Sequence, residues 1–230
     1  MLSKGARAFV ELPPLSCGAI CGAAAIAVDE SDSTLGQVLL LGGHDQNHMG
    51  ISSVRLVDLA TGVCTPQAAL LRTRSYFAAA GLSDGRVVCA GGYGIFLTAE
   101  MRKPPLQGAQ DAAVTWIELP TMSGGRFGCG GCVLSDGRFA VLGGRSNSGI
   151  TSSCEVLSFG DDEGWQPLPP MHDSRRHFVC VAVAGCIIVA GNDTHRRSAE
   201  VFDEVLGRWL RLPCDLPHAG GLVGMGSALL

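Results

Sequence analysis

Four runs of consecutive apolar residues, each ending in glycine, divide the chain at nearly equal intervals. The runs are "GQVLLLGG", "GRVVCAGG", "GRFAVLGG" and "GCIIVAGN", and their first closing glycines stand at 42, 91, 143 and 191. A strand with one exposed face alternates polar and apolar residues, and these runs do not alternate. The pattern therefore predicts strands that are covered on both faces, within a unit that repeats about every 50 residues.

Further markers recur in the same phase as the glycines. Tryptophans stand at 116, 165 and 209, each followed closely by Leu-Pro, and Phe9 and Cys64 hold the corresponding position in two weaker copies. Short predicted strands such as "SCEVL" and "SAEVF" lie between glycine and tryptophan. An arginine precedes a strand of small residues, as in "RSYFAAAGLSDG" and "RFGCGGCVLSDG". Each repeat is therefore predicted to contain four strands.

With these markers the sequence resembles the kelch repeat, which forms a four-stranded blade of a β-propeller. The resemblance implies one all-β domain over 1–230, with about four full blades at approximately 14–65, 66–117, 118–166 and 167–210, and partial strands at 6–12 and 219–229. Kelch propellers usually close with six or seven blades. The repeat count leaves three interpretations open: a fragment of a longer chain, a form that self-associates through open propeller edges, or an unusually small ring.

Composition excludes several classes of function. Hydrophobic residues make up 47% and charged residues 17%, which is typical of a folded globular domain. The net charge of −4 gives no reason to expect nucleic acid, and no apolar run reaches the roughly 20 residues of a membrane helix. The first residues lack the apolar core of a secretion signal, so we expect a cytoplasmic, reducing location.

The ten cysteines lie mostly inside apolar runs, so we expect free thiols in the core. Cys129 and Cys132 have the spacing of redox dithiols and of zinc half-sites, but no strand-to-helix setting and no second pair accompany them. Core packing is the favoured interpretation. No phosphate-binding or dinucleotide motif occurs, and the glycine-serine spacing at Ser146 fails the nucleophile-elbow pattern. No cofactor is therefore predicted.

Catalysis is one alternative to a binding function, because kelch-like propellers include copper-radical oxidases and sugar-isomerising enzymes. A copper-radical site requires tyrosines and two histidines, and the chain has only Tyr76 and Tyr93, neither of which is expected near a histidine pair. His44, Asp45 and His48 are predicted to be polar loop residues rather than metal ligands, so no metal is predicted. A third class is the substrate-recognition part of a ubiquitin-ligase adaptor, a role in which kelch domains occur.

Antiparallel blades present loops on two opposite faces. The loops that enter strand one and leave strand two open on one face, here called the loop face, and the remaining turns open on the turn face. Eight arginines stand against three aspartates on the loop face, a balance of +5, and the turn face has twelve acidic residues against five basic ones, a balance of −7. Because guanidinium groups bind carboxylates in a bidentate geometry, we expect the loop face to bind a protein partner through an acidic segment.

The residues predicted to bind the partner all belong to the loop face. They are Arg72, Arg74, Arg126, Arg145, Arg175, Arg176, His177, His195, Arg196 and Arg197. The kelch resemblance gives Arg74, Arg126 and Arg175 a competing role, since the family commonly uses an arginine before strand one to cap strand ends. Both roles stay open for these three residues at the level of sequence.

Overall fold

The computed structural model describes residues 15, 16, 18, 20–28, 36–103, 114–191 and 198–213. The first sheet contains β1 (Ala24–Val28), β2 (Gln37–Leu41), β3 (Val54–Asp58) and β4 (Cys64–Gln67). The second contains β5 (Ala78–Gly81), β6 (Val87–Ala90), β7 (Ala99–Arg102) and β8 (Trp116–Leu119). The third contains β9 (Gly130–Val133), β10 (Phe139–Leu142), β13 (Cys154–Ser158) and β14 (Gly164–Leu168), and a short ribbon of β11 (Arg145–Ser146) and β12 (Gly149–Ile150) lies between β10 and β13. The fourth contains β15 (Val179–Val183), β16 (Cys186–Ala190), β17 (Ala199–Asp203) and β18 (Arg208–Arg211).

The four sheets are antiparallel meanders whose strands follow chain order. The inner strands lie side by side, β1 against β5, β5 against β9 and β9 against β15. This arrangement confirms the predicted all-β, kelch-type propeller with four-stranded blades. The predicted strands at 6–12 and 219–229 lie outside the described residues. Among the residues that are described, no helix is long and apolar enough to cross a membrane.

Successive sheets are held together by apolar cores. The first core packs Leu39 and Leu41 of β2 against Val87 and Cys89 of β6, and the next packs Val88 and Ala90 of β6 against β10. Neighbouring residues of β6 therefore point into different cores, which is why the run is apolar without alternation. We call the face that packs on the following sheet the trailing face (Leu39 and Leu41 in the first sheet) and the face that packs on the preceding sheet the leading face (Val87 and Cys89 in the second).

The tryptophans link each of the last three sheets to the preceding sheet by a hydrogen bond. Each indole Nε1 donates to a main-chain carbonyl just beyond strand four of the preceding sheet: Trp116 to Ala68 at 3.0 Å, Trp165 to Pro120 at 2.7 Å and Trp209 to Pro169 at 2.8 Å. The equivalent position in the first sheet is Cys64, which pairs with Val57 as Trp209 pairs with Phe202. The tryptophan thus marks a sheet that packs on a predecessor.

Small side chains line the propeller axis because the inner strands crowd there. A Cβ added to Gly131 would lie 2.8 Å from the Cβ of Ala78, and one added to Gly130 would lie 2.7 Å from the Cβ of Cys180. The inner strands of all four sheets surround a channel of about 300 Å³. Free cysteines fill part of this crowded layer, and burial raises the pKa of the Cys129 thiol to about 11. A redox dithiol needs a lowered pKa, so the raised pKa of Cys129 favours the packing interpretation.

The first glycine of each pair lies against the main chain of the next sheet. A Cβ on Gly91, whose φ is +71°, would stand 2.5 Å from the carbonyl oxygen of Arg126. Gly94 has a similar φ of +84° and nothing within 4 Å of the same added atom. A comparison of the same substitution at Gly91 and at Gly94 therefore distinguishes the cost of a positive φ from the cost of a close main-chain contact.

We expect Gly91→Ala to lower the free energy of unfolding by about 1–3 kcal/mol more than Gly94→Ala, because only the first substitution adds overpacking to the conformational strain. Urea denaturation of both variants measures the difference. Equal losses would show that the glycine pair serves backbone conformation alone.

Candidate functional site

A buried Arg–Glu pair stands where the loop face meets each of the last three sheets. Arg74 Nε lies 2.5 Å from Glu100 Oε1, Arg126 Nη2 lies 2.6 Å from Glu155 Oε1, and Arg175 Nη2 lies 3.0 Å from Glu200 Oε1. All six side chains are at most 5% exposed. Each arginine stands just before strand one and each glutamate in strand three of the same sheet. The pair therefore bridges two elements that are far apart in sequence.

The guanidinium groups also bind main-chain carbonyls. Nη1 of Arg126 donates to Gly143 at 3.0 Å and to Ser153 at 2.7 Å, which fixes the loop from strand two to strand three. The carbonyl of Arg126 in turn accepts a bond from Gly92 of the preceding sheet at 3.0 Å. One residue thus joins two sheets, and the same pattern recurs at Arg74 and Arg175.

Burial removes three predicted residues from the accessible loop face. Arg74, Arg126 and Arg175 are 1%, 2% and 0% exposed, so their guanidinium groups face the interior of the blades. The expected contact of these three side chains with a partner is therefore corrected to the capping role. The negative charges of their partners Glu100, Glu155 and Glu200 offset these three arginines, so the expected charge balance of the loop face falls from +5 to +2.

Aromatic rings surround the axis on the loop face. Two residues after the repeated arginine stand Tyr76 and His177, with Gly22 and Gly128 at the corresponding positions of the first and third sheets. Their main chains form a ladder, Tyr76 N to Gly22 O at 2.8 Å, Gly128 N to Tyr76 O at 2.6 Å and His177 N to Gly128 O at 2.8 Å. Each ring lies over a glycine, since a Cβ on Gly22 would be 3.0 Å from Tyr76 and one on Gly128 would be 3.0 Å from His177.

The rings form a continuous cluster. Centroids are separated by 5.0 Å for Tyr76 and His177, 5.4 Å for Tyr76 and His44, and 5.4 Å for Tyr93 and Phe127. We call this cluster the axial mouth; its members are His44, His48, Tyr76, Tyr93, Phe96, Phe127 and His177. The expectation that neither tyrosine lies near a histidine pair is wrong, because loops from different sheets bring His44 and His177 against Tyr76.

Tyr76 is held by polar neighbours as well as by rings. Its hydroxyl lies 3.1 Å from His44 Nε2 and 3.5 Å from Cys21 Sγ. The hydrogen bond with Cys21, together with burial, raises the pKa of Tyr76, so the phenol stays protonated and can donate or accept a hydrogen bond. Within the described ranges, no group of three His, Cys, Asp or Glu residues is placed to hold a metal ion.

A cavity of about 400 Å³ adjoins the axial mouth. His44, His48, Met49, Thr73, Tyr76 and Tyr93 line it. Tyr93 is 64% exposed and Met49 65%, so apolar side chains stand at its rim.

The remaining predicted residues take different places. Arg145 is exposed and its main chain pairs with Phe127 of the axial mouth, at 2.8 Å and 3.0 Å. Arg72 is half-exposed and forms an ion pair with Glu118 on the outer strand β8. Arg176 is half-buried beside His177. His195, Arg196 and Arg197 lie outside the described residues.

Comparison with known proteins agrees with this architecture. No protein-family model matches the chain. An F-box/kelch-repeat protein of Arabidopsis thaliana is 30% identical over 137 residues, which cover 52% of this chain and 36% of that protein. The solved structure of YjhT superposes with a TM-score of 0.70 at 14% identity, covering 93% of this chain and 70% of that chain. The chain has the fold of a kelch-type β-propeller. The chain therefore spans about a third of the plant relative's length.

Sequence reasoning about the kelch propeller missed the axial mouth. Tyr76 and His177 share one repeat position, two residues after the repeated arginine, and this coincidence was the available signal. Tyr93 and Phe127 had no such signal, because their meeting depends on the packing of the second sheet against the third.

We expect Arg126→Met to lower the free energy of unfolding by about 3–5 kcal/mol, because Glu155 would be left as a buried charge without its partner. Arg145→Met, on the exposed ribbon, should change it by no more than about 0.5 kcal/mol. Chemical denaturation measures both values. Equal effects would mean that the buried pair does not hold the third sheet.

Lowering the pH should reduce the stability of the propeller, because Glu200 becomes protonated. Burial acts to raise the pKa of Glu200, but hydrogen bonds from His172 and Arg175 outweigh it and leave the pKa below the ordinary value of 4.5. The stability that Glu200 contributes is therefore present above pH 4.5 and lost as the pH falls through the lower folded-state value. Thermal unfolding measured between pH 7 and pH 3 should show that Glu200→Gln loses less stability on acidification than wild type does. Equal losses in the two proteins would contradict this assignment.

Proposed function

We propose that this kelch propeller binds a segment of a protein partner at the axial mouth, and that acidic side chains of the segment pair with arginines at its edge. One observation carries the proposal: a cluster of partly exposed aromatic rings borders a cavity at the propeller axis, and the main chain of the exposed Arg145 pairs with one member of that cluster, Phe127. Aromatic and arginine side chains are enriched among the residues that dominate binding energy at protein interfaces.

The exposed residues of the axial mouth match this role. Tyr93 is 64% exposed and contacts Phe96 and Phe127, so two neighbouring rings support it while most of its surface stays accessible to a ligand. Leu97, 45% exposed, extends the apolar surface beside Phe96. Such a surface gains free energy from covering apolar area when a partner side chain enters.

Arg145 provides the charge selectivity in this proposal. Its main chain pairs with that of Phe127, and in this proposal its exposed guanidinium pairs with a carboxylate of a segment seated on the rings. Tyr76, another member of the axial mouth, offers a neutral hydroxyl as a hydrogen-bonding group. The name of the plant relative, which combines an F-box with kelch repeats, supports a protein-binding role in general.

The test selects ligands from a random peptide display library on the immobilised propeller and measures the selected peptides by fluorescence polarisation. We expect them to combine an apolar or aromatic residue with Asp or Glu. Tyr93→Ala should weaken them at least tenfold, about 1.4 kcal/mol, and Arg145→Glu should weaken the acidic ones by a similar factor. Replacing their Glu by Gln should remove the effect of Arg145→Glu.

Arg138→Glu, on the turn face, is the matched control, since Arg138 pairs there with Asp136 at 2.7 Å and is far from the rings in the fold. Peptides that bind Tyr93→Ala and wild type equally, or that lose binding in Arg138→Glu instead, would overturn the axial mouth as the binding site.

A further inference from the structure

A main-chain bridge on the loop face recurs from sheet to sheet. It joins the residue after the repeated arginine position to the residue after the glycine pair. Cys21 and His44 exchange two main-chain hydrogen bonds in this way, at 3.1 Å and 2.9 Å. Phe127 and Arg145 exchange two as well, at 3.0 Å and 2.8 Å. In the first and third sheets the bridge therefore satisfies the N–H and the C=O of both partners.

The second sheet has lost half of this bridge. Its two positions are Ser75 and Tyr93, and Tyr93 N donates to Ser75 O at 2.9 Å. The chain turns after Tyr93, where Ile95 N donates to Gly92 O at 3.3 Å. Among the residues that the structure describes, neither the N–H nor the hydroxyl of Ser75 has a hydrogen bond. Ser75 is only 6% exposed, and an unpaired donor at such a depth is costly unless water or a ligand binds it.

Ser75 belongs to the wall of the cavity beside the axial mouth. Thr73 is an exposed residue of the same wall, and its hydroxyl also has no hydrogen bond within the described ranges. Tyr76 and Tyr93 add their rings to the wall. The wall thus combines a group that can only donate, the N–H of Ser75, with hydroxyls that donate or accept and with flat aromatic surface.

Two residues of this wall have a strained backbone. His48 and Tyr76 have φ of +59° and +55°, in the left-handed region that favours glycine. At the repeat position of Tyr76 the first and third sheets do use glycine, with φ of +67° at Gly22 and +62° at Gly128. Backbone strain of this kind clusters at functional sites. The rings beside the cavity are therefore kept at a conformational cost.

The charged groups next to the cavity are already paired. Among the described residues that line it, Arg74 alone carries a permanent charge, and its guanidinium is bound to Glu100 at 2.5 Å. The nearby carboxylate of Asp45 accepts two bonds from the main chain of its own loop, at 2.9 Å and 3.0 Å. A carboxylate that entered the cavity would lose water without gaining a counter-ion, which is costly. The wall therefore favours a neutral polar group.

We propose that the cavity binds a neutral amide group, whose carbonyl accepts hydrogen bonds from Ser75 and whose N–H donates to the hydroxyl of Thr73. The amide plane lies against the aromatic rings of the wall. This inference rests on the proposed function, because the partner segment supplies the amide while its acidic residue pairs with Arg145. A side-chain amide of Asn or Gln and a main-chain amide share this chemistry.

Two small probes of nearly equal shape test the choice of a neutral group. They are para-fluorophenylacetamide and the charged para-fluorophenylacetate, and fluorine NMR titration measures their binding to the whole chain. We expect the amide to bind about tenfold more tightly than the acid, because only the acid loses its charge solvation. In a proton–nitrogen spectrum the N–H signal of Ser75 should shift as the amide is added. Equal or tighter binding of the acid, or an unmoved Ser75 signal, would overturn the proposal.

Ser75→Ala should weaken the amide about fivefold, which is typical for the loss of one neutral hydrogen bond. Binding of para-fluorotoluene, which has no polar group, should not change in this variant. Ser135→Ala, on the turn face, is the matched control and should bind both probes as wild type does. Equal weakening of the amide and the toluene in Ser75→Ala would indicate a packing role and would contradict the amide site. If Ser75→Ala does not fold, the Ser75 N–H signal of wild type decides the question.

Peptides selected on the propeller distinguish the two sources of the amide. Exchanging a Gln or Asn of the peptide for Glu or Asp should weaken binding if the side chain enters the cavity, and N-methylation of one peptide bond should weaken it if the main chain does. The probes contain no peptide, so the two proposals fail separately. Peptides that need Tyr93, together with probes that ignore Ser75→Ala, would overturn the amide site alone. Probes that need Ser75, together with peptides that ignore Tyr93→Ala, would overturn only the protein-segment proposal.

Discussion

The buried Arg–Glu pair is the interaction on which the rest of this propeller depends. Taking a guanidinium and a carboxylate out of water costs several kcal/mol per ion unless every donor and acceptor is matched. Here the match is nearly complete: Arg126 donates to Glu155 and to three main-chain carbonyls, and Glu155 also accepts from the main chain of Ser123 and Gly124. Because each pair touches strand one, the loop between strands two and three, and the preceding blade, the pairs fix the loops of the last three sheets on the loop face.

The axial mouth follows from that constraint. The repeated arginine sets the main chain two residues before Tyr76 and His177, and the carbonyl-to-amide ladder then aims both rings at the axis. Small residues at Gly22 and Gly128 leave room for them. A rigid, buried electrostatic framework thus presents a surface whose side chains vary from blade to blade, which is the property that lets one fold bind many different partners.

The propeller fold could be predicted from the sequence because its determinants recur in phase. Three features show this: Gly91 lies against the carbonyl oxygen of Arg126, the indole of Trp165 donates to the preceding sheet, and the apolar run of β10 is covered on both faces. Each feature recurs in the other blades for the same structural reason. The candidate site was predicted less well. Counting charges by loop placed Arg175 on the loop face and left its two roles open, because its partner Glu200 is 25 residues away within a strand. The meeting of Tyr93 with Phe127 depends on how two sheets pack, and no local pattern encodes it.

Native-state hydrogen exchange tests most directly whether the Arg–Glu pairs join successive blades into one cooperative unit. The amides of Gly92 and Gly144, which donate to Arg126 and Arg175 of the following sheet at 3.0 Å and 2.7 Å, should exchange only through global unfolding, with the same free energy as the amides in β10. Exchange of these two glycines at a free energy well below that of β10 would show that the blades open separately, and would contradict the account.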